Sequence, residues 1–508
     1  EAGYSTGLFG KWHLGDNYPH RPEDRGFDEA IWFPSSHLNG VSDYWDNDYF
    51  DDFYNHNGRR EKFNGYCTDV FTNEAINWIQ KKIDKKEPFF TYLPMNAAHW
   101  PPFVPNEYRE PARKALNANP KVLEKLSKEK MHPYYGKDIN EALVTFLAMG
   151  LNIDENIGKL MQFLENKGVL DNTIIVFFTD NGSSFGRHYY NAGMKGGKQE
   201  LFEGGHRVPL FIKGPKEIIG KPKVIDELTH VQDLLPTLAS SIGVKKMPQK
   251  MDGVNLLPLM KGDVSNLKDR MLVVNFTKTP WRVNFPDEDT PDNAAKPLKE
   301  RGAVLWEKWR YLNDKTLYDV SKDPHEDTDI ASMYPKVVAK MSEHLNTWWN
   351  DVKDDANKIH RVTIGSTNEN PIMLSACDWY NIFVDQQKQV RNGDKRSGYW
   401  HVEVDQPGTY EFEMRRWPVE SGYGLNDAIS ETQVTDGVLP AGKAFNIAAA
   451  RMKVGEIEQS VKVYPSDKSA KFTFDLEAGK TSIITFFDDE HGERILGAYY
   501  LYVKRVDL

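Results

Sequence analysis

Apolar and polar positions follow two different rhythms along this chain, and the change falls near residue 361. Upstream, short apolar runs alternate with helical spacing, the pattern of an α/β fold with a largely parallel sheet flanked by helices. Phe89-Phe90-Thr91-Tyr92-Leu93 reads as a buried strand. Phe146, Met149, Ile153, Ile157, Leu160 and Leu164 recur at gaps of three and four, which predicts one apolar helix face closed by Gly168. Ile174-Ile175-Val176-Phe177-Phe178 contains no polar residue and predicts a strand covered on both faces. Val208-Pro209-Leu210-Phe211-Ile212 predicts another, with Pro209 marking an edge or a strand start.

Between Thr277 and Arg301 the chain turns rich in Pro, Asp and Asn and reads as a long surface loop. Short strands are expected around Val304-Leu305 and Leu317-Tyr318-Asp319-Val320, then a helix from Pro335 to about Trp349. Residues 351–360 are charged without apolar periodicity, so a domain boundary is expected there. It separates a first domain (1–355, with a small α+β subdomain at about 270–355) from residues 361–508. In the latter, Tyr410, Phe412 and Met414 alternate with Glu411, Glu413 and Arg415, and Phe472, Phe474 and Leu476 with Thr473 and Asp475. Period-two alternation with little helical signal predicts an antiparallel β-sandwich.

The 508 residues carry a formal net charge of −10, which disfavours nucleic acid as a partner while leaving room for a local basic pocket. No apolar run approaches the ~18 residues of a membrane span. Two cysteines, Cys67 and Cys377, supply neither a disulfide framework nor a metal-binding pattern, and each reads as a small buried hydrophobe.

Four segments have the composition of a reactive site. In Gly10-Lys11-Trp12-His13-Leu14-Gly15, residues i and i+2 of an extended backbone share a side, so Lys11 and His13 can meet one anion; the alternative is an exposed basic turn. Thr179-Asp180-Asn181-Gly182 follows a strand directly, where α/β sheets bind ligands. Asp180 and Asn181 offer two hard oxygens of the kind Ca²⁺ or Mg²⁺ prefers, or form a simple turn. In Ala98-His99-Trp100-Pro101 the imidazole can pass a proton to a departing alkoxide, or merely hydrogen-bond at the surface. In Lys195-Gly196-Gly197-Lys198, leading to Glu203-Gly204-Gly205-His206-Arg207, paired glycines let the backbone approach an anion beside the Lys198 charge, or make a flexible tip.

In combination these segments carry a resemblance. Glu1 to Phe9 leading into Gly10-Lys11-Trp12-His13-Leu14-Gly15, with Arg25-Gly26-Phe27-Asp28-Glu29 after it, looks like the second signature of the sulfatase family, within the alkaline phosphatase superfamily. The Asp180-Asn181-Gly182 turn, the His99-x-Pro101 segment and the run from Gly197-Lys198 to Glu203-Gly204-Gly205 fit the same family in the same order. So do His230-Val231-Gln232-Asp233-Leu234-Leu235-Pro236-Thr237 and Met251-Asp252-Gly253, so that the resemblance covers about residues 1–350. His206 stands where the family more often has an aliphatic residue and is assigned to packing or to support behind the residues that touch the ligand.

The resemblance implies a sulfuric ester hydrolase whose nucleophile is formylglycine, made from a Cys/Ser-x-Pro-x-Arg motif. It places Lys11, His99 and Lys198 on the sulfate and makes Lys11, His13 and His99 catalytic. His13 would hold the formylglycine hydroxyls, His99 would protonate the leaving group, and Asp180 with Asn181 would ligate one Ca²⁺ rather than Mg²⁺. Neither cysteine has the flanking Pro and Arg, and the family's nucleophile motif and two further Asp ligands belong upstream. The chain is therefore expected to be N-terminally incomplete and inactive by itself. The implied partner is a sulfated small molecule or glycan, with Trp100, His37, Tyr190 and Trp281 as candidates to line its pocket. Two alternatives stay open: a carbohydrate-binding protein on a degraded scaffold, using Trp379, Tyr380, Trp400 and Trp417, or a phosphodiesterase or phosphonate hydrolase of the same superfamily.

Overall fold

A computed structural model describes residues 2–126, 139–248, 250–263, 267, 269–276, 296–380, 382 and 384–506. Strand β1 (Ser5–Lys11) lies between β2 (Glu29–Phe33) and β5 (Phe89–Tyr92), parallel to both, and its Leu8 and Phe9 are buried. A hairpin of β3 (Phe53–His56) and β4 (Arg59–Lys62) extends the sheet antiparallel beyond β2. The helices Cys67–Asp84 and Ile139–Asn166 contribute Phe71, Trp78, Leu143, Met149 and Leu164 to the core beside β1. Gly168 ends the second helix at φ +67°, with Val169 N–H on Leu164 O and Gly168 N–H on Glu165 O, the paired bonds that satisfy a helix C-terminus. The apolar face is not purely apolar: Asn152 and Asn156 are buried and both donate to Asp69 Oδ1.

The apolar run near 174–178 forms β6 (Ile175–Phe178), which pairs antiparallel with β7 (Leu210–Lys213) in a two-stranded ladder of its own. Strand β7 begins immediately after Pro209 and lies at a sheet edge, as that proline predicts. Its antiparallel direction departs from the expectation of one largely parallel sheet. Among the described residues of this part, parallel pairing is confined to β1 with its two neighbours.

Strands β8 (Met271–Asn275), β9 (Gly302–Trp306), β10 (Trp309–Leu312) and β11 (Thr316–Asp319) form a small antiparallel sheet. One face packs Val304, Trp309 and Leu317 on Met341 and Leu345 of the helix Pro335–Ala356. The opposite face holds Leu201 and Phe202, in the loop that follows Lys198. The helix continues seven residues past the expected Trp349, and residues 357–361 join it to the first strand of the C-terminal part. Most of the expected surface loop, 277–295 with Trp281, lies outside the described residues.

Beyond residue 361 two sheets face each other across one core. The first contains Val362–Ile364, Trp400–Val404, Gly479–Asp488, Ala449–Val454 and Ile457–Lys462; the second contains Ile372–Ser375, Tyr500–Arg505, Gly408–Arg415 and Ala470–Leu476. Among the described residues, only the pair 362–364 and 402–404 runs parallel within these sheets. The inward residues include Tyr410, Phe412, Phe472 and Phe474 from the predicted alternation. Val41 and Trp45 enter this same core from the N-terminal part of the chain, and Asp46 pairs there with buried Arg391. Trp379, Trp400 and Trp417 are buried in it, which removes them as sugar-stacking surfaces; Tyr380 is half-buried, its ring 5.0 Å from that of His401.

Candidate active site

The carboxyl ends of the parallel strands β1 and β5 lie side by side, and the charges of Lys11, Asp180 and Lys198 act on one another and on His13 and His99, so the four sequence segments meet there. At the end of β1, Lys11 N–H donates to Pro94 O at 2.7 Å, and a Cβ on Gly10 would overlap that same carbonyl. Glycine is therefore required where the β1 and β5 loops touch. Trp12 is buried against Leu8, Ala30 and Trp32 and donates its Nε1–H to His20 O at 2.8 Å. With Trp12 anchored inward, Lys11 and His13 emerge together on the other side.

Gly182 supplies the second close approach. Its N–H donates to Gly205 O at 2.9 Å, and a Cβ would overlap the carbonyl oxygen of Gly204. Backbone against backbone thus sets the distance from the Asp180–Asn181 turn to the loop carrying Lys198. Glu203, in the next turn of that loop, is buried against Arg310 of β10.

These groups share one electrostatic environment. Burial pushes the Lys11 ammonium below its usual value; Asp180 opposes that shift and Lys198 reinforces it. The His13 side chain reaches solvent, yet the protein around it, followed by the charges of Lys11 and Lys198, lowers it to about 4. His99 is lowered to about 4 chiefly by burial, with Lys198 and Lys11 adding to it. Both imidazoles are neutral at pH 7. Among the described residues no carboxylate lies within ion-pairing distance of Lys11 or Lys198, so two cationic side chains face one site without a bound counter-charge. Such an arrangement can hold an anion.

His99 Nδ1 lies 2.9 Å from Trp100 O. A carbonyl only accepts, so the proton sits on Nδ1 and Nε2 keeps its lone pair. Sequence reasoning placed His37 only among pocket candidates; the structure puts its ring on that of His99, with centroids 4.9 Å apart. Asp385, from the C-terminal part, was missed altogether. Burial raises its carboxyl to about 6, with Lys198 and Arg396 pulling it back. No local signal could have joined it to Lys198, because the two lie far apart in sequence and meet only through the fold. Tyr190 is 75% exposed. His206 donates its Nε2–H to Leu201 O over 3.0 Å, a bond within its own loop.

Asp180 is exposed and Asn181 half-buried, and their oxygens are of the right kind for a hard divalent cation. In number they fall short, since no group of three or more His, Cys, Asp or Glu side chains able to hold a metal occurs among the described residues. The cysteines are inert: burial raises both thiols, Cys67 well above its usual value and Cys377 to about 12.

Comparison with known proteins bears on the family of the chain. A family model described as Sulfatase matches residues 1–244, and one described as N-sulphoglucosamine sulphohydrolase, C-terminal, matches residues 197–351. The chain is 29% identical over 274 residues to N-acetylgalactosamine-6-sulfatase of Mus musculus, covering 51% of this chain and 47% of that protein. It is 26% identical over 435 residues to N-acetylglucosamine-6-O-sulfatase of Bacteroides thetaiotaomicron, covering 70% and 72%. The chain thus spans about half the length of the first of these relatives. The crystal structure of Ps i-CgsB in complex with k-i-k-neocarrahexaose superimposes with a TM-score of 0.53 at 25% identity, covering 68% of this chain and 72% of that one.

Proposed function

Because this chain belongs to the sulfatase family, we propose that it acts in the hydrolysis of sulfate esters of carbohydrates. The observation that carries the reading is the convergence of Lys11 and Lys198 on His13 and His99 at the carboxyl ends of β1 and β5. Two fixed cations suit a sulfuryl group, whose oxygens carry the charge that shifts during ester cleavage. His13, neutral between them, accepts a hydrogen bond from whatever hydroxyl attacks. His99 serves the leaving oxygen. A bound sulfate ester brings negative charge that offsets Lys11 and Lys198 and restores proton affinity at Nε2. Nδ1–H is committed to Trp100 O, so Nε2 is the atom that holds the transferable proton.

Members of the family are metal-dependent. The Asp180 carboxylate and Asn181 carbonyl would hold Ca²⁺ through hard oxygens, and the ion would add positive charge against the sulfuryl oxygens. The sequence holds no Cys/Ser-x-Pro-x-Arg segment, so no step is assigned here to a formylglycine.

Calorimetric titration of the chain with inorganic sulfate and with a 6-sulfated hexosamine tests the reading. Saturable binding of both, weakened by Lys198→Ala, is expected. Affinity unchanged by Lys198→Ala in a folded protein would sink it.

A further inference from the structure

The loop between β2 and β3 places a third imidazole in the site, and its geometry goes beyond lining a pocket. His37 is 2% exposed, and its ring lies on that of His99 at an interplanar angle of 27°. Its Nδ1 is 2.7 Å from Ser36 Oγ, which sets the rotation of the ring. The neighbouring residue ties the two loops together, with Leu38 N–H on Asn96 Oδ1 at 3.3 Å. On the other side, His99 N–H donates to Asn96 O at 2.9 Å, and buried Tyr49 donates its hydroxyl to His99 O at 3.1 Å. The His99 backbone is thus held from both loops. Its ring, however, makes one hydrogen bond among the described residues, to the carbonyl of the very next residue.

We infer that His37 is the positioning residue of His99: by covering one face of its ring, it fixes the direction of Nε2 toward the anion held by Lys11 and Lys198. A single bond from Nδ1 leaves the ring free to swing about the line of that bond. A flat partner stacked on one face removes that freedom, and aromatic pairs in offset contact are favourable beyond the area they bury. Burial, then the nearby charges of His99, Lys11, His13 and Lys198, hold the His37 imidazole well below its usual value. It therefore stays neutral beside His99 and does not compete for the proton.

This inference rests on the sulfate-ester reading of the site, and the experiment separates the two. The 508-residue chain, labelled with ¹⁵N-histidine, is followed by NMR with and without inorganic sulfate, His99 being assigned by its loss in His99→Gln. The expected spectrum shows a His99 ring with Nδ1 protonated and Nε2 bare. His37→Phe, which keeps a flat ring, is expected to preserve that tautomer and to bind sulfate within about twofold of the parent. His37→Ala is expected to give mixed tautomers and about tenfold weaker sulfate binding. Should His37→Ala not fold, Ser36→Ala, which frees the His37 ring to turn, is read by the same signals and is expected to shift them in the same direction. An unchanged His99 tautomer in His37→Ala overturns the inference, whether or not sulfate binding falls, and so does a His37→Phe that behaves like His37→Ala. If Lys198→Ala leaves sulfate affinity unchanged, it is the site reading that fails.

Discussion

Arg310 donates its Nε–H to Glu203 Oε1 at 2.6 Å, with both side chains almost sealed from water, at 5% and 2% exposure. This pair ties the small sheet to the loop that carries Lys198, and Glu326 joins it by accepting the Glu203 N–H at 2.7 Å. Arg310→Met leaves the buried Glu203 carboxylate with only the exposed Arg207 as an ion-pair partner, which costs about 3 kcal/mol. Urea unfolding should show a loss of that order. Burial alone would raise the Glu203 carboxyl, but the charge and hydrogen bond of Arg310 outweigh it and hold it below the usual value. The pair therefore stabilises the fold above the ordinary glutamate range, and its contribution fades as pH falls through it.

Replacing Lys198 or Lys11 by Ala should weaken sulfate binding about 10- to 100-fold, since a hydrogen bond to a charged group contributes about 1.5–3 kcal/mol. His206→Ala should change it little, because that ring is engaged with Leu201 O. Titration calorimetry on the three variants decides; an effect of His206→Ala equal to that of Lys198→Ala would move His206 into the anion site.

Asp16 and Asp378 meet where the N-terminal part abuts the C-terminal sheets. Burial first, and Asp16 second, raise the Asp378 carboxyl to about 7, and burial raises Asp16 as well. The folded protein thus holds a proton that the unfolded chain releases near pH 4. Stability from this pair is fullest below that pH and declines as pH climbs toward 7, by on the order of 4 kcal/mol. Asp378→Asn should flatten this part of the profile. Equal pH dependence of the urea midpoint in parent and variant would refute it.

Trypsin should cleave between Asn357 and Arg361, just past the end of the helix Pro335–Ala356, where Lys358 is exposed. The two pieces should still elute together in size-exclusion chromatography, because Val41 and Trp45 are built into the C-terminal core. Separate peaks would mean that this core tolerates their loss.

The 508-residue chain should not turn over an aryl sulfate, even when co-expressed with a formylglycine-generating enzyme. Both thiols are protonated at any working pH and neither lies in the maturation motif. Turnover abolished by Cys67→Ala or Cys377→Ala would show that a different nucleophile operates.

Sequence reading was strongest where one local cause decides the outcome. The apolar face of the helix ending at Gly168, the strand after Pro209 and the alternation at Tyr410, Phe412 and Met414 all follow from nearest-neighbour chemistry. The four motifs that converge were each legible for the same reason. What escaped depends on contacts distant in sequence. The antiparallel pairing of β6 with β7, the short strands β8 and β10, the stacking of His37 on His99 and the approach of Asp385 to Lys198 are decided by which loops the fold brings together. The aromatic residues Trp379, Trp400 and Trp417 illustrate the ambiguity: in sequence a large aromatic looks the same whether it faces a ligand or a core.

The contact of Gly182 with Gly204 and Gly205 bears on how this scaffold can be altered. It works as a ruler made of main chain alone, so the gap between the metal-type turn and Lys198 does not depend on which side chains surround it. Pocket-lining loops can be rewritten to admit a different sugar without resetting the anion geometry. A methyl group at any of those three glycines would instead reset it at once. For library design, these three positions are the ones to leave untouched while everything around them varies.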